Sequence, residues 1–248
     1  MKINFPYLRK KTNVLNSLRI EVMSDSMRVG KTTAVKVIAD GLRLRGRQVS
    51  ESYEDWQHNP YLKKSYSDPA KNFLESQKWF IRRKHQQIVD GLGTPLRSTS
   101  FEGARQVFIQ DVSPEMDYCY AETNRRLGRM SDEHFAEYDT YFRSLDWGVA
   151  PAPDLMVYLQ VSDDELLKRA EASRREFETV EADYFLMMKK VNREWLSGIS
   201  NHKPALPRGR FSNSQMNILV IDTDKLDFAH DESAKRELVE QVAKEIGL

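Results

Sequence analysis

The chain has 248 residues, 40% hydrophobic and 30% charged, with a formal net charge of +1. That length suits one large α/β domain with a buried core, and the near-neutral balance argues against a nucleic acid polymer or an acidic membrane as partner. The single cysteine, Cys119, excludes an intrachain disulfide and a cysteine-based zinc site and fits a reducing cytoplasm. No apolar run approaches a membrane span, and the five histidines show no metal-ligand spacing.

Residues 1–16 read as a polar N-terminal arm, too polar for a secretory leader, with Lys10 and Lys11 as a small basic spot. "LRIEVMS" (18–24) reads as a first strand, and the helix after it runs from Thr32 to Arg45, with Gly46 as its stop. A second strand is expected at 47–52 and a long helix from Asp68-Pro69 to about Asp90. "RQVFIQD" (105–111) is the third strand, followed by helices near 114–128 and 131–146. "PDLMVYLQVS" (153–162) is a strong fourth strand. Helices at 163–175 and 177–198, a fifth strand within 213–224 and a closing helix at 231–247 complete the pattern. Strands that alternate with helices indicate a five-stranded parallel sheet flanked by helices. Ligands in such folds sit beyond the carboxyl ends of the strands. Ser24 to Thr32, Glu51 and Asp111 lie at those ends.

Between the first strand and its helix lies "MSDSMRVGKTTAVKV" (23–37). Gly30, Lys31 and Thr32 supply the second half of a phosphate-binding loop, whose pattern is Gly, four residues, then Gly-Lys-Ser/Thr. The first glycine should be residue 25, which is Asp. The amides of Ser26, Met27, Arg28, Val29, Gly30, Lys31, Thr32 and Thr33 are placed to meet phosphate oxygens, with Lys31 as a point charge and Thr32 as a Mg²⁺ ligand. Asp25 is expected to narrow the loop and repel phosphates, and to tolerate a positive φ if the loop needs one there. Arg28 acts in the opposite sense, within reach of a transferred phosphoryl group. On the long helix, Gln77 shares a face with Phe73, Phe80, Ile81 and Ile88 by three-to-four spacing. A buried amide there needs partners, and the edge of a nucleobase would satisfy both its donor and its acceptor.

The ordered set "ESYEDW" (51–56), "NPYL" (59–62), "YSDP" (66–69), Gln77, "QDVS" (110–113), Asp117, "PDLMVYL" (153–159), "KRAEASRREFE" (168–178) and "NREWL" (192–196) resembles the deoxynucleoside kinases, most closely the bacterial deoxyadenosine/deoxyguanosine kinase branch. The resemblance implies a P-loop kinase fold of the deoxynucleoside/thymidylate kinase type over 17–248, with a helical lid around 168–178. It implies ATP-dependent phosphorylation of a deoxynucleoside 5′-hydroxyl in nucleotide salvage, a purine slightly favoured, by a cytoplasmic homodimer or a heterodimer with an active kinase. By resemblance Glu51 is the general base, Trp56 flanks the substrate, and Gln77 and Asp117 read the base. Tyr66 and Glu178 hold the sugar 3′-hydroxyl, and Thr32 and Asp111 hold Mg²⁺. Arg169 and Arg175 belong to a lid that, with Arg28, stabilises the transferring phosphoryl group.

The sequence departs from that pattern at Asp25, at Ser52 in place of a proline, at Val112 in place of an arginine, and at Ser173 in place of a lid arginine. Two readings stay open: a decayed, nucleotide-binding subunit, or a rearranged site in which Arg28 replaces the lost lid arginine. Arg28 also motivates a nucleoside monophosphate or modified-nucleoside kinase of the thymidylate kinase type. The rearranged deoxynucleoside kinase is favoured.

Overall fold

The computed structural model describes residues 17–93, 106–150, 152–173, 181–198 and 217–248. The expected arm (1–16) and two expected site residues, Arg175 and Glu178, lie outside them. In chain order the elements are β1 (Ser17–Ser24), α1 (Lys31–Leu44), β2 (Val49–Ser52), a 3₁₀ turn (Trp56–His58), α2 (Leu62–Ser67), α3 (Pro69–Gly93), β3 (Gln106–Asp111), α4 (Pro114–Arg126), α5 (Asp132–Ser144), β4 (Leu155–Gln160), α6 (Asp163–Ala172), α7 (Ala182–Ser197), β5 (Ile218–Asp222) and α8 (Glu232–Glu245). All pairings are parallel, in the order β2-β3-β1-β4-β5. From β1 the chain runs to the β2 edge, returns to insert β3 beside β1, and then crosses to β4 and β5 on the other side; the crevice between the carboxyl ends of β1 and β3 is where such a sheet binds ligands.

The central strands are buried on both faces. On β1, Ile20 and Val22 join the main core with α1, while Arg19 and Glu21 are buried as an ion pair, with Arg19 also donating to Gln110 Oε1 at 3.2 Å. A second apolar cluster lies among the helices, where Ile81 and Ile88 of α3 meet Tyr118 of α4 and Tyr138 and Phe142 of α5. Close helix contact needs a small residue at one point: a Cβ on Gly41 of α1 would stand 2.3 Å from Val239 Cγ2 of α8.

Two short elements are not evident in the sequence, the 3₁₀ turn and α2. Asn59 holds them down. Its side chain is buried, donates to Ser76 Oγ at 3.0 Å, and accepts from the amide of Tyr61 at 3.0 Å. Strand β2 begins at Val49 rather than 47, because the amide of Arg47 still bonds to Leu42 O at 3.1 Å and closes the end of α1. No helix among the described residues is long and apolar enough to cross a membrane.

Candidate active site

The loop after β1 is shaped by left-handed backbone at Arg28 (φ 65°) and Gly30 (φ 103°), the latter immediately before α1 begins. A side chain at position 30 would be strained, which explains the glycine there. Asp25 corrects two expectations. It is not among the residues with positive φ, and its carboxylate neither narrows the loop nor faces its mouth. The side chain is fully buried between β4 and α7. It accepts from Tyr158 Oη (3.0 Å), from the amide of Val161 (2.9 Å) and from Arg193 Nε and Nη2 (3.0 and 2.8 Å). Asn192 Nδ2 donates to the Asp25 carbonyl at 2.9 Å, and Ser26 Oγ donates to Phe185 O at 3.2 Å. Three residues of α7, Phe185, Asn192 and Arg193, thus hold Asp25 and Ser26 at the start of the loop.

Lys31 is buried at the start of α1 and donates to Ser24 Oγ and Ser26 O, both at 3.3 Å. Burial pulls its ammonium below the ordinary lysine value, opposed by the carboxylates of Asp111 and Glu54. Thr32 Oγ1 donates to Asp111 Oδ2 at 2.5 Å, while Asp111 Oδ1 is buried with no hydrogen-bond partner. Burial raises the Asp111 carboxyl, and Lys31 works against that shift. A hydroxyl and a half-satisfied carboxylate beside a phosphate loop suit a hard cation that takes its remaining ligands from phosphates and water. Among the described residues, no cluster of three or more His, Cys, Asp or Glu could hold a metal by itself.

Among the described residues, cavities open around this loop. One, of about 570 Å³, lies over Lys31, Thr32, Thr33 and Asp111, with Met27, Arg28, Val112 and Ser173 on its walls. Another, of about 750 Å³, runs from Arg28, Val29 and Gly30 between Arg169 of α6 and the Thr223–His230 stretch after β5. A third, of about 240 Å³, lies beside the loop at Met27. It is walled by Trp56, Tyr66, Phe73, Phe80, Tyr120 and Tyr184, with Gln77 and Asp117 supplying polar groups. An apolar cleft with a few placed polar groups is the usual form of a small-molecule site. Gln77 Oε1 and Asp117 Oδ2 are buried without a hydrogen-bond partner among the described residues. Burial pushes the Asp117 carboxyl up to about 7, with Lys84 opposing the shift.

The structure brings together most of the expected residues and displaces one. Glu51 does not line any of these cavities. It sits in register with Ile109, whose face packs on α1, and its carboxylate is taken by the Arg43 guanidinium and the Tyr53 hydroxyl. Glu54, just past the strand end, takes the expected place: it lines both the aromatic cavity and the loop cavity. Arg28 stands at the rim of the two donor-side cavities. Arg169 is fastened through Nη1 to Thr223 Oγ1 (3.0 Å) and Val29 O (3.4 Å), so it braces the loop from α6. Ser173 does face the loop cavity, and Val112 lies beside it in left-handed backbone (φ 67°).

Sequence reasoning missed Glu54, Lys84 and Arg193. Lys84 carried a readable signal, for it stands seven residues after Gln77 on the same otherwise apolar face of α3. Its ammonium, in a side chain only 2% exposed, donates to Glu54 Oε1 at 3.1 Å and lies 3.6 Å from Asp117 Oδ1. Burial alone lowers this group, and Asp117 and Glu54 together outweigh it, so it stays charged.

A phosphate loop whose cavity adjoins an aromatic pocket defines the class: a P-loop protein. The deoxynucleoside kinase family profile matches residues 24–247, and the chain belongs to that family. It is 26% identical over 230 residues to a deoxyadenosine/deoxycytidine kinase of Bacillus subtilis, covering 92% of this chain and 93% of that protein. It is 24% identical over 245 residues to a deoxyguanosine kinase of Lactobacillus acidophilus, covering 93% of each. A solved structure of deoxyadenosine kinase from M. mycoides with bound dATP superposes with a TM-score of 0.67 at 16% identity, over 93% of this chain and all of that one (100%), which establishes the shared fold.

Proposed function

We propose that this protein transfers the terminal phosphoryl group of ATP to the 5′-hydroxyl of a deoxynucleoside. The observation that carries this reading is the junction of the cavities. Met27, Glu54, Trp56 and Tyr120 line both the aromatic pocket and the loop cavity, and Glu54 is the one carboxylate among them. An acceptor hydroxyl and a donor phosphate meet where the two spaces meet. Glu54 takes the hydroxyl proton as the 5′-oxygen bonds to the γ-phosphorus, while the bond to the β,γ-bridging oxygen breaks and ADP leaves.

Lys31 and the amides of residues 26–33 bind the donor phosphates. Arg28 and, by the family likeness, Arg175 neutralise charge on the transferring group, while Arg169, expected to share that task, is committed to bracing the loop. Thr32 and Asp111 would hold Mg²⁺, which neutralises phosphate charge when bound. Gln77 presents a donor and an acceptor to the base, and Asp117 an acceptor for an exocyclic amine, which adenine, guanine and cytosine carry and thymine lacks. Trp56 supports the base, and Tyr66 with Glu178 holds the sugar. Among amine-bearing bases a purine is favoured. The named relatives act on deoxyadenosine, deoxycytidine or deoxyguanosine, which fits this acceptor chemistry. A monophosphate acceptor is disfavoured, because it would bring a further anion beside Glu54 and Asp111 with no arginine at position 112. We take the molecule to be a homodimer, to be checked by light scattering.

The test is phosphoryl transfer from labelled ATP to each of the four deoxynucleosides and to their monophosphates. Transfer to deoxynucleosides with an amine on the base, and little to thymidine, is expected. No transfer to any deoxynucleoside by folded protein refutes the reading.

A further inference from the structure

The segment that carries Glu54 has no secondary structure of its own, since β2 ends at Ser52 and the 3₁₀ turn starts at Trp56. Helix α3 holds it residue by residue. Gln87 Nε2 donates to the Tyr53 carbonyl at 2.9 Å, Lys84 Nζ to Glu54 Oε1 at 3.1 Å, and Arg83 Nε to Asp55 Oδ2 at 2.9 Å. Of these three ties, the one from Lys84 is the most deeply buried. An ammonium is seldom enclosed in this way without paired charge. Here it also lies 4.9 Å from the centroid of the Phe80 ring, a second favourable contact for a cation.

Lys84 further joins two carboxylates with different tasks. Asp117 comes from α4 and faces the base, while Glu54 comes from the β2–α2 connection and faces the reacting oxygen. The family likeness leads one to expect an arginine near the general base at position 112. Val112 cannot serve, and its buried side chain supplies no charge. Lys31, Asp111, Asp117 and Tyr120 also face Glu54 electrostatically, but Lys31 belongs to the donor phosphates.

We propose that Lys84 is a positioning residue, which aims the Glu54 carboxylate at the acceptor hydroxyl and does the work of the arginine that position 112 lacks. The proposal rests on the kinase reading above. Because Gln77 lies two turns earlier on the same helix, α3 fixes the distance between the group that reads the base and the group that takes the proton. Misplacing a reacting group by about 1 Å can cost on the order of 10²-fold in rate.

The experiment compares wild type with K84M, K84R, E54Q and the double variant K84M/E54Q. Each is assayed for kcat, for the KM of ATP and for ATP affinity by calorimetry. K84M should lower kcat by roughly 10- to 100-fold and leave ATP affinity within about threefold of wild type. K84R should recover part of the loss, because its cation can still reach Glu54. In the E54Q background K84M should add little, since a residue that acts through Glu54 has nothing left to aim. Additive losses in the double variant overturn the proposal, as does a K84M defect confined to ATP binding. If K84M does not fold, K84Q and K84R carry the same comparison with E54Q. Wild-type protein that phosphorylates no deoxynucleoside refutes the kinase reading and this assignment together. An active wild type with additive variants refutes this assignment alone.

Discussion

Removing the Arg193 guanidinium tests whether Asp25 is a structural anchor or a defect of the loop. The Arg193→Ala substitution leaves a fully buried carboxylate short of its bidentate partner. Breaking a buried ion pair from one side costs roughly 3–5 kcal/mol. Two features reduce that figure. The Tyr158 hydroxyl and the Val161 amide still donate to Asp25, and the Arg193 side chain is 46% exposed, so water screens the pair. A loss of about 2 kcal/mol is expected, equivalent to a fall in Tm of roughly 4–8 °C for a chain of this size. Asp25→Gly restores the glycine of the loop pattern, yet it strands the buried Tyr158 hydroxyl and Val161 amide, at a cost of about 1–3 kcal/mol. The two substitutions share one interaction, so the double variant should lose less than the sum. Differential scanning fluorimetry gives the stabilities, and calorimetry with ATP and Mg²⁺ gives the affinities. A carboxylate that repelled phosphates would make D25G bind ATP more tightly, whereas the observed geometry predicts no tightening. Tighter ATP binding by D25G, or a Tm for R193A within about 1 °C of wild type, refutes the anchor.

The remaining expectations concern the chemistry. Lys31→Ala should cut kcat/KM by roughly 10²- to 10³-fold with little change in Tm, because among the described residues the ammonium hydrogen-bonds only Ser24 and Ser26. Glu54→Gln should lower kcat by about 10²- to 10⁴-fold, and Glu51→Gln by distinctly less, since Glu51 is committed to Arg43 and Tyr53; steady-state kinetics of the two variants decides between the carboxylates. Asp117 titrates near 7, and an exocyclic amine on the base favours its ionised form. The KM of an amine-bearing deoxynucleoside should therefore rise as pH falls below about 7 and level off above it, an effect that Asp117→Asn should abolish.

The fold was legible wherever burial is uniform. The unbroken apolar run of β4, the charged outer faces of α6 and α8, and the Gly-Lys-Thr opening of α1 each state their role locally. Gln77 was readable because a polar residue on an apolar helix face stands out, and Lys84 on that face should have been read with it. Glu51 and Glu54 could not be separated, because β2 ends at Ser52 and periodicity no longer assigns a face to the residues beyond it. The role of Asp25 is illegible in the sequence for another reason. Its partner Arg193 lies 168 positions away, and only the packing of α7 on α4 and α6 carries it to the start of the loop.

The choice between a decayed site and a rearranged one turns on where charge and unsatisfied polarity are kept. Buried polar atoms without partners cost stability, and a site that binds nothing gains by losing them. Among the described residues such oxygens line the site: Gln77 Oε1, Asp117 Oδ2 and Asn124 Oδ1 at the base end, and Asp111 Oδ1 at the phosphate end. Glu54 lies between them, held by Lys84. Val112 keeps a left-handed backbone that costs a β-branched residue on the order of 1–3 kcal/mol, beside an Asp111 tied to Thr32 and a Ser113 that caps α4. One departure from the family pattern, Asp25, comes with a partner elsewhere in the chain, Arg193, and under the proposal above Lys84 supplies the charge that Val112 lacks. For Ser173, Arg28 lines the same cavity and can supply the missing cation. Random loss offers no reason for substitutions to arrive with charges that complement them. Selection for a phosphoryl-transfer site built from different residues does.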